Sequence, residues 1–553
     1  MKYFIFFISG TLMISCTSNS KKAELIIQNA VIWTANPEQP YAEALAVKAG
    51  KILAVGSTDD IQQYAGSDTE ITDADSGFIV PGFIDSHVHF IVGGKNLSSV
   101  QLRDASTPEE FIHRIAEYAR TLKPGEWITG GDWDHKLWGG ELPRKEWIDS
   151  VTKENPVLVN RLDGHMALVN SLTLSLEGIN KETKSVEGGE IVIDDKTGDP
   201  TGIFLDNAYF RLLGNAMPAD SEEQQESYMK AAMQYVVSHG VTSIHDMDGV
   251  ESQKVFERLR DKGDMTVRVY SCSPLASWKL LQQKIIVEGT GDEWVKTGAL
   301  KGFVDGSLGS HTAAFFDPYS DAPEHNGFFV NTKEELYRWI SGADSARLQV
   351  VVHAIGDSAN SSLLDIYEQV TNENEPRDRR FRIEHAQHIA IGDFRRFAVL
   401  NVIASVQPYH LIDDGRWAEK VIGPKRIKTT YPFRSYLDAD VRIALGSDWF
   451  VAPPIPLMGI YAAVTRATLD SKNPDGWVPE QKIMVEEALR GYTIDAAYAS
   501  FDEDIKGSLE PGKLADFVII DLNLIEIEPE RIRDAQVVMT FVGGRKVFGR
   551  SVH

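Results

Sequence analysis

The chain has 553 residues, of which 43% are hydrophobic and 25% charged, with 80 Asp and Glu against 56 Lys and Arg for a net charge of −24. This is globular composition at a length that calls for two domains or one large α/β barrel with additions. The acidic balance excludes a nucleic-acid partner held through its phosphates; fourteen histidines and two cysteines put any metal site on imidazole and carboxylate and exclude a disulfide scaffold.

The first fifteen residues, MKYFIFFISGTLMIS, place one lysine before an apolar run too short to span a bilayer comfortably. Residues 1–15 therefore read as a signal peptide. Met13-Ile14-Ser15-Cys16 resembles a bacterial lipobox, which makes Cys16 the expected lipid anchor. It implies an exported, periplasmic or outer-surface lipoprotein touching the membrane only through that anchor. Cys272, in YSCS, reads as a small buried apolar residue.

After the leader, ELIIQNAVIWTA and EALAVKAGKILAVGS have the pattern of short strands separated by turns. The far end behaves alike: DFVIIDL precedes AQVVMTFVGGRKVF with a Gly543-Gly544 hairpin turn. Neither end has enough strands to bury a face alone. Residues 23–80 and 501–553 are therefore expected to pair into one small β-domain, with residues 81–500 inserted in it.

That middle alternates apolar runs with amphipathic stretches. The strand candidates are GFIVPGFIDSHVHF, VTSIHDM, VRVYSCS, LKGFVDG, LQVVVHAIGD, FRIEHAQ, VIASVQP and VRIALGSD, and stretches such as TKEELYRWISGAD between them have crossover-helix spacing. Eight strands suit a closed (β/α)8 barrel, and no Gly-rich phosphate loop supports a doubly wound sheet. The long gap before VTSIHDM predicts an insertion at about residues 95–225 over the barrel mouth, rich in Trp, Asp and Gly.

Chemistry gathers where the apolar runs stop. His87 and His89 form an H-x-H pair whose rings share one side of a strand. His353, His385 and Asp448 each close a later strand. Alone, each suits a core histidine or a turn-capping Asp. Together, at the C-terminal rim, they form a constellation suited to a divalent metal. Lys301 opens the fourth candidate strand, where an ammonium would repel an ion. Its readings are a salt-bridged lysine or one carbamylated by carbon dioxide. Asp246 and Asp305 also end strands, and Asp305 is suited to organising its Gly-rich loop.

These motifs, with LKGFVDGSLGSHTAAF, SVQPYH and the tail GSLEPGKLADFVIID, resemble the metal-dependent amidohydrolase superfamily, in the branch that includes N-substituted formamide deformylases. The resemblance runs from about Ala23 to Val547. It implies a distorted (β/α)8 barrel with a small β-sandwich built from both termini. It further implies one or two divalent ions, with Zn²⁺ expected, held by His87, His89, His353, His385 and Asp448. Lys301 would be the carboxylated, bridging lysine. SLGSHTA carries His311 where relatives more often show Arg, near the expected substrate.

The expected reaction is hydrolysis of an amide-type C–N bond in a small molecule, with Asp448 as general base and acid. His165, in DGHMALVN, is the candidate oxyanion stabiliser, and Asp163, Trp133, Gln407 and His410 are the expected pocket neighbours. Trp127, Trp138 and Trp147 hint at an apolar or aromatic substrate group, although such residues are more often core. Isomerisation or deamination on the same fold, and a non-catalytic lipid-anchored metal- or solute-binding protein, are the alternatives.

Overall fold

The computed structural model describes residues 22–214, 216 and 219–550, so the expected leader and Cys16 lie outside the described residues. Eight strands form one sheet: β1 Phe83–Val88, β2 Val241–Asp246, β3 Arg268–Pro274, β4 Val295–Phe303, β5 Gln349–Ala354, β6 Arg382–His385, β7 Ile403–Val406 and β8 Ile443–Leu445. Each pairs in parallel with the next. The sheet closes where β8 returns to β1. There Ser86 Oγ donates to Leu445 O at 2.7 Å, Asp448 N to His87 O at 2.7 Å, and Val88 bridges Trp449. The eight-stranded barrel expected from the apolar runs is present.

Parallel strands covered on both faces carry continuous apolar runs, and β5 is buried along its whole length. The crossover helices bury one face only. Helix Lys333–Ser345 starts at a capping box formed by Thr332 and Glu335 and buries Leu336, Ile340 and Ala343. Removing side chains such as these from water contributes about 1.5–3 kcal/mol each for the larger ones.

Two strand boundaries differ from the sequence reading. The run GFIVPGFIDSHVHF breaks at Gly82. Phe78–Pro81 joins the terminal sheet and Phe83–Val88 enters the barrel. A Cβ at Gly82 would lie 2.2 Å from Thr242 Oγ1, so only glycine lets the chain cross there. The fourth strand begins at Val295, which puts Lys301 near its C-terminal end instead of its start. Lys296 and Gly298 had masked the strand's first half.

Strands from both chain ends share a six-stranded sheet in which Phe78–Pro81 runs antiparallel to Phe517–Ile520. A four-stranded sheet of residues 25–73 packs on it through Ile27, Leu45, Ile79, Phe517 and Phe541. The two-residue turn Gly543-Gly544 closes the hairpin pairing Val542 with Arg545. Arg268 at the start of β3 ties barrel to terminal sheet, donating to both oxygens of Asp516 at 2.7 and 3.1 Å in a buried pair.

Between β1 and β2 the chain builds a six-stranded mixed sheet from strands within residues 100–206, with its own core around Phe111, Trp133, Ile148 and Leu168. Among the described residues no helix is long and apolar enough to cross a membrane.

Candidate metal centre and substrate cavity

The barrel's C-terminal rim brings His87 and His89 from the end of β1 beside His353 from β5, His385 from β6 and Asp448 just after β8. Ligand atoms of His87, His385 and Asp448 all lie within 4.8 Å of one another, and all three residues are buried. Asp448 Oδ1 is 3.5 Å from both His87 Nε2 and His89 Nε2. The ring centroids of His353 and His385 are 4.4 Å apart. Lys301 Nζ sits 3.1 Å from His87 Nε2. The backbone is bent to achieve this: His385 has φ +70° and Asp448 φ +60°, a region non-glycine residues seldom occupy.

Around this ring, a second layer orients the imidazoles. His87 Nδ1 donates to Glu384 Oε2 at 2.5 Å, His89 Nδ1 to Asp248 Oδ1 at 2.9 Å, and His385 Nδ1 to Gln407 Oε1 at 2.9 Å. His353 instead donates from Nε2 to Gly306 O at 3.0 Å, leaving Nδ1 with the lone pair. Each ring therefore has one nitrogen fixed by this layer and the other outside it, with Nε2 of His87 meeting Lys301 Nζ; a neutral imidazole held in this way can offer its second nitrogen to a metal. Burial holds His87, His353 and His385 well below the ordinary histidine pKa, so they stay neutral. Burial also lowers the Lys301 ammonium and raises the Asp448 carboxyl to about 6. Three neutral, oriented imidazoles and a carboxylate fit a divalent cation.

A cavity of about 290 Å³ opens above this ring, walled by the barrel loops and the insertion. His165 and Asp163 reach it from the insertion, His410 from the helix Pro408–Asp414 that follows β7. His165 Nδ1 donates to Asp206 Oδ1 at 2.6 Å, and its ring centroid is 5.4 Å from that of His353. Burial lowers the His165 pKa, but Asp206 outweighs it and leaves the imidazole above its ordinary value.

The amidohydrolase family model (Amidohydro_3) matches residues 70–548. The chain belongs to the amidohydrolase family. It is 39% identical to Protein LONG AFTER FAR-RED 3 of Arabidopsis thaliana over 95% of this chain and 92% of that one. It is 28% identical to the N-substituted formamide deformylase of Arthrobacter pascens, over 94% and 97%. A metal-dependent hydrolase from Pyrococcus horikoshii shares the structure with a TM-score of 0.73 at 27% identity, covering 91% of this chain and 99% of that one.

Several residues expected on the wall of this amidohydrolase's cavity sit elsewhere. Trp133 is fully buried in the insertion core, where its indole N–H donates to Val159 O at 3.0 Å. Trp127, Trp138 and Trp147 also pack within the insertion. The aromatic wall comes instead from Tyr209, Phe303, Trp417 and Phe450. His311 turns off the wall to bond Asp321 at 3.0 Å and lie against Tyr319. Gln407 is a buried acceptor for His385. Asp163 lines the cavity, but its oxygens are taken by Arg161, Ser307, Ser310 and the His165 N–H, which fixes the insertion to the loop after β4. Gly309 permits that docking, since a Cβ there would lie 2.4 Å from Arg161 Nη1. Asp305 accepts the backbone N–H groups of Ala314, Ile355 and Gly356, organising its loop as expected.

The sequence reading passed over Glu384, although Arg382 and Glu384 stand two apart on a buried strand and so face one side. Arg382 grips both Glu384 oxygens at 2.8 and 2.9 Å inside the barrel. Asp206 gave no comparable signal, because its partner His165 lies 41 residues away in the bend before the strand Met166–Val169.

Proposed function

We propose that this amidohydrolase cleaves the C–N bond of a small N-acyl amine, N-formyl amines included, with Zn²⁺ as the expected metal. The observation that carries the reading is the ring of oriented, neutral imidazoles around Asp448 at the floor of a cavity. The name of the formamide deformylase relative supports the same bond. A divalent ion held by His87, His89, His353, His385 and Asp448 would lower the pKa of water toward neutrality and polarise a carbonyl. Asp448, with its carboxyl near 6, is poised to accept a proton from the attacking water and return it to the leaving nitrogen. His165, held protonated by Asp206, would donate from Nε2 to the developing oxyanion. The cavity walls would exclude bulk water from these transfers.

Lys301 supports a finer reading. Its buried amine is biased toward the neutral form, which can attack carbon dioxide, form an N–C bond and lose a proton to become a carbamate. That anion would offer two oxygens to metal where the ammonium offers none. The leader motif supports an exported, Cys16-anchored protein.

The test is metal analysis with turnover of a panel of N-formyl and N-acyl amines. Metal-loaded protein should cleave at least one class, and Asp448→Asn should lower kcat by about 100-fold or more. Lys301→Ala should lose bound metal and partly regain it with added short carboxylic acids. A fully metal-loaded protein that cleaves none of the panel would defeat the hydrolase reading. Undiminished metal in Lys301→Ala would defeat the carbamate.

A further inference from the structure

The two oxygens of Asp448 face different ways. Oδ1 is turned to the metal centre, 3.5 Å from Nε2 of both His87 and His89, and Oδ2 faces His410 Nε2 across a gap of 4.0 Å. With Oδ1 so placed, Oδ2 is the oxygen free to take a proton and return it. His410 rides on the helix Pro408–Asp414, where its N–H donates to Gln407 O at 3.2 Å. Its ring lies nearly parallel to that of His385, 6.3 Å away at an interplanar angle of 11°. One turn of chain thus sets Gln407 behind His385 and His410 beside Asp448.

Among the described residues nothing completes His410. Its side chain lines the cavity, yet Nε2 is shielded from bulk water and makes no hydrogen bond. A buried polar atom in that state is costly unless a ligand supplies its partner. Burial lowers the His410 pKa to about 3, so the ring is neutral, although a backbone hydrogen bond at Ser447 acts in the opposite direction. A carbonyl raises a histidine's pKa by accepting its N–H. With no hydrogen bond at Nε2, that proton belongs to Nδ1 and Nε2 keeps the lone pair. The gap therefore lacks an atom that donates to Nε2 and receives a proton from Oδ2. The nitrogen of a secondary amide does both, and an atom placed between partners 4.0 Å apart can lie about 2.9 Å from each.

We propose that His410 selects secondary amides: its Nε2 accepts the N–H of the scissile amide, and substrates whose nitrogen carries a second carbon in place of that hydrogen are rejected. The inference rests on the hydrolase reading above and names its substrate class. With the N–H held at Nε2, the nitrogen turns its lone pair toward Oδ2 as it becomes pyramidal. There it takes the proton that Oδ2 received from the attacking water. The C–N bond breaks with its electron pair on nitrogen, and the amine leaves with both hydrogens. A tertiary amide would put an alkyl group against Nε2 and leave that buried acceptor unpaired, which is how sites built to bond a substrate N–H refuse its analogues.

Three matched probes test this on metal-loaded protein: N-formylhexylamine, its N-methyl derivative, and N-formyl-α-methylhexylamine, an isomer of the N-methyl compound that keeps the N–H. Selection is read as kcat/KM where turnover occurs and as calorimetric Kd where it does not. The N-methyl probe should fall about 10-fold or more below N-formylhexylamine, and the α-methyl probe should stay within about threefold of it. His410→Leu removes the acceptor at similar volume and should bring N-formylhexylamine to within about threefold of the N-methyl probe. Should that variant fail to fold, the α-methyl isomer still separates a hydrogen bond from crowding. An N-methyl probe within about threefold of the parent overturns the inference, as does an α-methyl probe that falls as far as the N-methyl one. So does an undiminished gap in folded His410→Leu, or no binding by any probe. Ranked binding without cleavage overturns the hydrolase reading and leaves the N–H contact standing.

Discussion

At the scale of single residues, the site is governed by which nitrogen of each histidine keeps its proton. Glu384 fixes that choice for His87, and Arg382 in turn grips both Glu384 oxygens in the barrel interior. Glu384→Gln keeps the shape but weakens the acceptor. It should lower metal affinity about 10–100-fold, measured by competition with a chelator. Unchanged affinity would mean that the ring is held by packing alone. Asp206 plays the matching part for His165. In Asp206→Asn the imidazolium loses its counter-charge, so its pKa falls and the donor form is lost at lower pH. The alkaline limb of kcat should therefore move to lower pH and kcat should drop about 10-fold or more, with metal content unchanged. An unmoved limb would remove His165 from the role of oxyanion donor.

At the scale of elements, strands were legible and their surroundings were not. The eight barrel strands are visible because burial on both faces forces unbroken apolar runs, and chemistry marks their ends. Trp133 and Gln407 were misplaced for a shared reason: the sequence shows a polar or aromatic residue near the mouth, but the wall it faces depends on tertiary packing. The insertion's mixed sheet was hidden because its strands lack a regular spacing. The join between elements was hidden as well, and Arg268–Asp516 is its clearest case. Removing one partner strands the other charge in a buried place, which typically costs about 3–5 kcal/mol. Arg268→Met should lower the thermal midpoint sharply, whereas Arg268→Met with Asp516→Leu should recover much of it. Equal midpoints for wild type and the single variant would show that the pair does not hold barrel to terminal sheet.

At the scale of the whole molecule, the metal centre and the barrel's closure are one problem. β1 and β8 meet at the seam through a few hydrogen bonds: Ser86 to Leu445, Asp448 to His87, and Ser447 Oγ to Asp85 at 2.5 Å. His87 stands on one side of that seam and Asp448 on the other, with Oδ1 3.5 Å from His87 Nε2. An ion shared by the two would cross-link the first and last strands, and His353 of β5 and His385 of β6 would be placed to complete its ligands. Binding to the folded state alone stabilises by about 2.7 kcal/mol at a hundredfold excess over Kd, so stripping the metal should lower the thermal midpoint by a comparable free energy. The loss should not be uniform. Hydrogen exchange should rise most at residues 83–89 and 443–449, and least in β3, which supplies no ligand and is anchored through Arg268. Equal acceleration in β3 and at the seam would mean that the ion stabilises the fold globally without acting as the clasp of the barrel.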